Sequence, residues 1–570
     1  MIWIPKRQYS PEERDSLQRA LNIHPLFIQL LLQRGIDNFE DAKSFFRPNP
    51  NALHNPYRMK DMEKAVTRIQ TAIKNKENIL VYGDYDVDGT TAVSMMYEFI
   101  HKELKHENVS FYIPDRYSEG YGVSQKGIDF AVDNACGLII TLDCGIKSFD
   151  KILYANTHNI DVIVCDHHIP DENLPPAHAI LNPKQALCNY PFKELSGCGV
   201  GFKLIQALTE SYGINESVAW NYVDLVAIST CADIVPLVDE NRILVHHGIK
   251  KINANPRKGF LELLKRAGAE GKELNVEDAV FILGPRINAA GRIAHASKVV
   301  ELLTGESEQL QEELSHAINT HNSERQDIDK TMTAEALQMI AQDPQHANKS
   351  TNVLYNPNWH KGVVGIVASR VIESYYRPTL ILTLSNGKIT GSGRSIAGFD
   401  LYDALMDCDD FLTNWGGHAH AAGLTLEPEM LIPFTEAFDK AVAKRLKPDQ
   451  LIPTIHFDAD VHPAVFNSSF LTLLKQFAPF GPANPAPLFL LKNLKIYNQN
   501  LRLLKDEHLQ LQFYAADNIE QVYSAIGFKL GKHFNALKKA SAFNAICALK
   551  ENHFNGQTHL QFEIKDVEPI

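Results

Sequence analysis

From about residue 60 the chain repeats one pattern: a helical stretch, a short apolar run rich in β-branched residues, then a turn carrying an acidic or histidine side chain. The runs lie at 79–82, 109–113, 138–142 and 162–164. Strands alternating with helices predict an α/β domain on a largely parallel sheet. Ligands bind such sheets beyond the carboxyl ends of the strands, so the turns are where chemistry is expected.

The first of these turns reads Gly83-Asp84-Tyr85-Asp86-Val87-Asp88-Gly89, with three carboxylates at alternate positions. If strand geometry persists past the apolar run, Asp84, Asp86 and Asp88 project to one side and crowd their charges together. Hard divalent cations take oxygen ligands, so a magnesium or manganese site at the mouth of the sheet is one reading. An acidic turn kinked at Gly89 is the other. The later turns favour the metal. Leu142-Asp143-Cys144-Gly145 ends one run, Asp166-His167-His168 ends the next, and Ala232-Asp233 follows the apolar stretch 223–228, expected as a further strand.

A length of 570 residues implies three or four domains. With 45% hydrophobic and 22% charged residues, no apolar stretch near the ~20 residues of a membrane span and no signal-peptide layout at the start, a cytoplasmic, membrane-free protein is expected. Its eight cysteines form no CxxC pair and are expected as buried thiols. The net charge of −12 excludes a protein that coats nucleic acid by bulk electrostatics but leaves room for a local basic groove.

Five segments are expected: a helical lead-in over 1–50, a first α/β domain over 51–302, a long connecting helix over 303–345, a second α/β domain over 346–447 and a β-rich domain over 448–570. The second α/β segment holds three glycine-rich stretches, around His360 to Arg370, at Gly391-Ser392-Gly393-Arg394-Ser395 and at Gly416-Gly417-His418-Ala-His420. Glycines interleaved with Ser, Arg and His let amides and a guanidinium approach an anion, so a phosphate-contacting surface is predicted. The last segment alternates short β-like runs with turns, which fits a small β-barrel. An OB fold is the nucleic-acid-binding version.

The acidic and histidine motifs, in this order, resemble the DHH phosphoesterase superfamily. Ile113-Pro-Asp-Arg116-Tyr-Ser-Glu-Gly-Tyr-Gly122, Gly284-Pro-Arg286-Ile-Asn288-Ala-Ala-Gly-Arg292 and the glycine-rich stretches are similar to the bacterial RecJ exonucleases within it. The resemblance runs from about residue 50 to the C-terminus. It implies a parallel-sheet DHH domain and an α/β DHH-associated domain joined by a long helix, followed by an OB-fold barrel. It further implies a single-stranded-DNA-specific 5′→3′ exonuclease of DNA repair and recombination that uses two divalent ions, manganese or magnesium. Another DHH phosphoesterase and a non-catalytic DNA-binding scaffold are the alternatives.

By resemblance, Asp84 or Asp86, with Asp88, Asp143, His167 and Asp233, would hold the metals, Asp143 bridging them. His168 would bond a phosphate oxygen, and Asp166 would orient a histidine. Arg116, Ser392 and Arg394, with neighbouring Ser395, would grip the 5′ phosphate, and Arg286, Asn288, Arg292, Arg370 and His418 would touch the backbone near the scissile bond. The implied partners are single-stranded DNA, a single-stranded-DNA-binding protein and recombination or repair helicases, with the chain itself a monomer. Two stretches depart from the family pattern: Gly481-Pro-Ala483-Asn-Pro-Ala486 lacks a second glycine and an acidic residue, and Phe554 stands where Trp is common.

Overall fold

The computed structural model describes residues 1–554 and 557–570; the Phe554 side chain and Gly556 lie outside what it describes. The chain forms two compact units, one of residues 54–235 and 247–453, the other of residues 1–53, 236–246 and 454–570.

The larger unit opens on a parallel five-stranded sheet of β1 (Asn78–Gly83), β2 (Val109–Tyr112), β3 (Cys136–Leu142), β4 (Asp161–Cys165) and β5 (Ala179–Leu181). Their hydrogen-bonded order is β2-β1-β3-β4-β5, every pair parallel. Ile79, Leu80, Val81 and Tyr82 are all fully buried, because helices cover both faces of the sheet, and the strand therefore reads as an unbroken apolar run. The strand order reverses direction between β1 and β3. Asp84 and Asp143 directly follow the two strands at that switch point, where open α/β sheets bind their ligands.

Helix α1 (Val87–Glu98) follows β1 and packs on α2 (Gly197–Ser211) and α3 (Val223–Ala232). The stretch 223–228, expected as a strand, is helical. Every residue from Val223 to Cys231 is buried, so the helix carries no polar face. Without a 3.6-residue periodicity, a short apolar run cannot be told from a buried strand.

Helix α4 (Gly284–Ile293) packs on α5 (Glu308–Gln342), a 35-residue helix roughly 50 Å long. This helix is shorter than 303–345. Thr304 closes the preceding helix, Ser307 caps the new one by accepting from the Leu310 amide, and Asp343, which precedes a proline, ends it. Met332, Ala336 and Ile340, spaced by four, pack with α6 (Val364–Ser374) and Ile381. They cover one face of a second sheet, in the order β9 (Asn414–His418), β10 (Ala421–Leu426), β8 (Lys388–Arg394), β7 (Thr379–Ser385) and β6 (Asn352–Tyr355). Leu380 and Leu382 flank Ile381 in β7 and point to the opposite core with Phe434, Phe438 and Val442. This is the two-residue alternation of a strand covered on both sides.

The smaller unit is a closed barrel of β11 (Phe489–Leu504), β12 (His508–Ala515), β13 (Asn518–Gly527), β14 (Phe543–Phe554) and β15 (Gln557–Pro569). The strands run β11-β12-β13-β15-β14 and close back onto β11, with only β13 and β15 parallel. This is the five-stranded closure of an OB fold. The N-terminal helices share its core: Leu17, Phe27, Leu30 and Leu31 pack with Phe470, Phe477 and Phe489.

Residues 236–246 are pinned into the same unit by Arg242. Its guanidinium lies 3.7 Å over the Phe45 ring and donates to the carbonyls of Phe45, Gln476, Phe477, Ala478 and Pro479. Burial pulls its pKa down to about 9. The loop around Ala483 is held by Arg34 donating to Asn484 Oδ1 and the Pro485 carbonyl, both at 2.7 Å.

Candidate metal centre

The three aspartates after β1 meet in a different way from simple alternation. The strand stops at Gly83, Asp86 caps α1 by accepting from the Gly89 amide at 3.0 Å, and Asp88 lies in the first helical turn. A tight strand-to-helix turn therefore gathers them. A Cβ on Gly89 would sit 2.3 Å from the Asp84 carbonyl oxygen, so only glycine lets the helix start this close to the strand. Asp233 likewise comes from a helix end: it caps the C-terminus of α3, its amide donating to the Ser229 carbonyl.

These elements converge with β3 and β4. His167 Nε2 lies 3.2 Å from Asp143 Oδ1, 3.5 Å from Asp233 Oδ2 and 3.8 Å from Asp88 Oδ2. Ligand-capable atoms fall into three overlapping groups, Asp84–Asp86–Asp143, Asp143–His167–His168 and Asp88–His167–Asp233. Asp143 belongs to two of them, and His167 to two. Asp88 is held by the start of α2: the amides of Gly197 and Cys198 donate to its two oxygens at 2.6 and 2.7 Å, and Ser229 Oγ donates at 2.6 Å. The positive end of a helix thus steadies this buried carboxylate.

Asp84 Oδ1, Asp143 Oδ1, Asp233 Oδ2 and both ring nitrogens of His167 are buried without a hydrogen-bond partner. Orphaned polar atoms in one place are costly unless a cation satisfies them. Burial first, and then mutual repulsion, holds the carboxyls of Asp84, Asp86 and Asp143 above the ordinary range and Asp233 up to about 9. Burial pulls His167 below its usual value, which favours the neutral, ligating imidazole. The nearby thiols of Cys144 and Cys198 are pushed up by burial and supply no thiolate. A donor set of carboxylate oxygens and one or two imidazoles fits magnesium or manganese.

Asp166 serves the neighbouring histidine. It accepts from the amides of Ile146, His167 and His168 and lies 2.8 Å from His168 Nδ1. Burial opposes its charge, but the His168 hydrogen bond and charge outweigh that and bring Asp166 to about 2. Burial also disfavours the His168 cation, yet Asp166 prevails and the imidazole pKa rises. The Tyr121 hydroxyl lies 3.1 Å from both His168 Nδ1 and the Asp143 carbonyl oxygen.

A group of arginines adjoins this cluster. Arg116 stacks 4.7 Å over Tyr85, the residue between Asp84 and Asp86. Tyr117 donates to the Arg292 carbonyl, and Arg292 Nη1 donates to the Gly362 carbonyl at 2.7 Å. Arg394 donates to Ser392 Oγ at 2.9 Å, and a Cβ on Gly365 would sit 3.0 Å from Arg394 Nη2 and 3.1 Å from Ser392 Oγ. The first turn of α6 therefore lies close against Arg394 and Ser392. Burial, and then the charges of Arg116, Arg325 and Arg394, pull Arg292 down to about 10.

The remaining predicted residues lie elsewhere or are engaged. Arg286 donates to Asn319 Oδ1 and the Ile282 carbonyl, and Arg370 Nη1 lies 3.5 Å from Glu373 Oε1. Both arginines lie within electrostatic range of Arg325. Asn288 is half-buried on α4, Ser395 donates to the Phe399 carbonyl at 2.7 Å, and His418 is exposed on the edge strand β9. Arg325, Tyr121 and the Gly197–Cys198 amides went unread in the sequence. Arg325 sits in an ordinary polar helical stretch, and backbone amides leave no sequence signal beyond a capping serine.

Fold and site together define a DHH-type phosphoesterase, and the comparisons agree. The DHH family, N-terminal domain, matches residues 78–230, the DHHA1 domain residues 348–444 and the RecJ OB domain residues 457–566. The Single-stranded-DNA-specific exonuclease RecJ of Bacillus subtilis is 36% identical over 97% of this chain and 69% of its own length. The Escherichia coli protein of that name is 33% identical over 96% of each chain. The crystal structure of RecJ in complex with Mn2+ from Thermus thermophilus superposes with a TM-score of 0.84 at 26% identity, covering all of this chain and 80% of that one. The chain belongs to the RecJ family.

Proposed function

We propose that the chain is a single-stranded-DNA-specific exonuclease that works 5′→3′, releases 5′ mononucleotides by phosphodiester hydrolysis and requires two divalent ions, manganese or magnesium. The observation that carries this reading is the convergence of unpartnered buried carboxylate and imidazole atoms beside a group of arginines.

Asp84 and Asp86 with Asp143 would hold one ion, and Asp88, His167 and Asp233, again with Asp143, the other. Ions held there supply a nucleophile at neutral pH and charge compensation for the attacking and leaving oxygens. The chain supplies the positioning. Asp166 fixes His168 through Nδ1, so its other nitrogen donates to a phosphate oxygen where charge develops. Arg116, Arg394 and Ser392 bind the terminal 5′ phosphate through directional bonds, and Arg292 extends that positive surface. Action in DNA repair and recombination, in the cytoplasm and as a monomer alongside a single-stranded-DNA-binding protein and helicases, completes this reading. Among the described residues no helix is long and apolar enough to cross a membrane.

The test is digestion of 5′-phosphorylated and 5′-hydroxyl single strands, of duplex DNA and of pyrophosphate, with manganese or chelator. Manganese-dependent shortening of single strands is expected, with Arg394→Ala raising KM about 10- to 100-fold on the 5′-phosphorylated strand and much less on the hydroxyl form. Hydrolysis of pyrophosphate with single strands left intact would refute the exonuclease reading.

A further inference from the structure

Ile234 directly follows Asp233 and is held with φ +61°, in the left-handed region. This is the position just past the C-terminal cap of α3, where glycine is the usual residue and asparagine the usual substitute. A β-branched side chain there is a genuine outlier. Burial does not compensate, because Ile234 is 67% exposed. The residue thus carries two costs together, a strained backbone and an apolar side chain in water. Its neighbour Asp233 places Oδ2 3.5 Å from His167 Nε2, so the strain sits at the metal centre. Ile169, directly after His168 in the same centre, is likewise exposed, at 73%.

Strain retained at a functional site points to something the residue does. Resting on the exonuclease reading above, we infer that Ile234, together with Ile169, is a substrate-contacting residue that packs against the deoxyribose and base of the nucleotide at the scissile phosphate. The reaction brings that nucleotide, and no other apolar surface, to these carboxylates. Aliphatic contact suits an enzyme that must remove every nucleotide in turn, because it uses no base-specific hydrogen bond. The apolar pair also excludes water from one side of the phosphate once a nucleotide is seated.

Ile234→Asn separates this role from a structural one, because asparagine accepts the left-handed backbone without strain. Expected for this variant are a melting temperature equal to or above wild type, unchanged stabilisation by manganese, and a KM for single-stranded DNA raised at least about fivefold with kcat within about twofold. That split is the signature of lost binding shared by ground and transition states. Ile234→Leu, which keeps an aliphatic side chain, should recover most of the KM. Wild-type kinetics in Ile234→Asn would overturn the inference, and so would loss of activity accompanied by loss of manganese binding. An inactive wild-type protein would instead remove the reading of the site on which the inference stands.

Discussion

Asp143→Asn is expected to abolish nuclease activity while making the metal-free protein more stable. Asp143 is the carboxylate shared between two of the ligand groups, and its Oδ1 is buried without a partner. Removing its charge should lower kcat/KM at least about 10³-fold, or roughly 4 kcal/mol of transition-state stabilisation. The stability gain follows from linkage. Burial first, and then Asp88, Asp86, Asp233 and Asp84, raise the Asp143 pKa well above its unfolded value. A group raised in this way contributes stability below the unfolded pKa near 4 and loses it as pH rises toward the folded pKa. At pH 7 that loss is under way for aspartate and absent for asparagine. Thermal denaturation in chelator should show a rise on the order of 2 °C, with no gain from added manganese. A variant less stable than wild type, or one within tenfold of its activity, would contradict the assignment.

The second large effect is on pH and metal together. Asp84, Asp86 and Asp143 are raised and Asp233 is held up to about 9, so the metal-free cluster gives up its protons less readily than free carboxyls do. Metal binding must displace them. Each proton displaced makes the apparent Kd fall tenfold per pH unit, about 1.4 kcal/mol. His167, already pulled toward its neutral form, adds little to that cost. In chelator the protein should lose stability from pH 6 to pH 8, because raised carboxyl groups stabilise the fold only while they hold protons. Manganese should add more stability at each step upward, so the gap between the two melting curves should widen. Scanning calorimetry at pH 6, 7 and 8 checks this, and a constant gap would show that the cluster binds metal without releasing protons.

The legible part of this molecule is the part with local patterning. Asp143 follows directly, and His167 two residues on, from strands whose apolar runs are unmistakable, so their place at the sheet mouth follows from the order of residues. Asp88 and Asp233 belong to the same centre but reach it from helices, one from a first turn and one from a C-terminus. Fully buried helices such as α3 have no polar face, and a run without a period reads equally well as a strand. The barrel strands were readable as β-rich runs, but the parallel pairing of Ala525 with Phe562 inside the barrel is a long-range choice. So is the use of residues 236–246, through Arg242, in the same unit as the barrel: nothing in composition marks the segment. Ile234 was invisible for a related reason, since its exceptional feature is a backbone angle.

The most direct measurement is anomalous diffraction at the manganese absorption edge from crystals grown with that ion. Two peaks are expected, one ligated by Asp84 and Asp86, the other by Asp88, His167 and Asp233, with Asp143 touching both. A cluster without anomalous density at saturating manganese, or a peak only outside this set of residues, would contradict the metal centre on which the proposed chemistry depends.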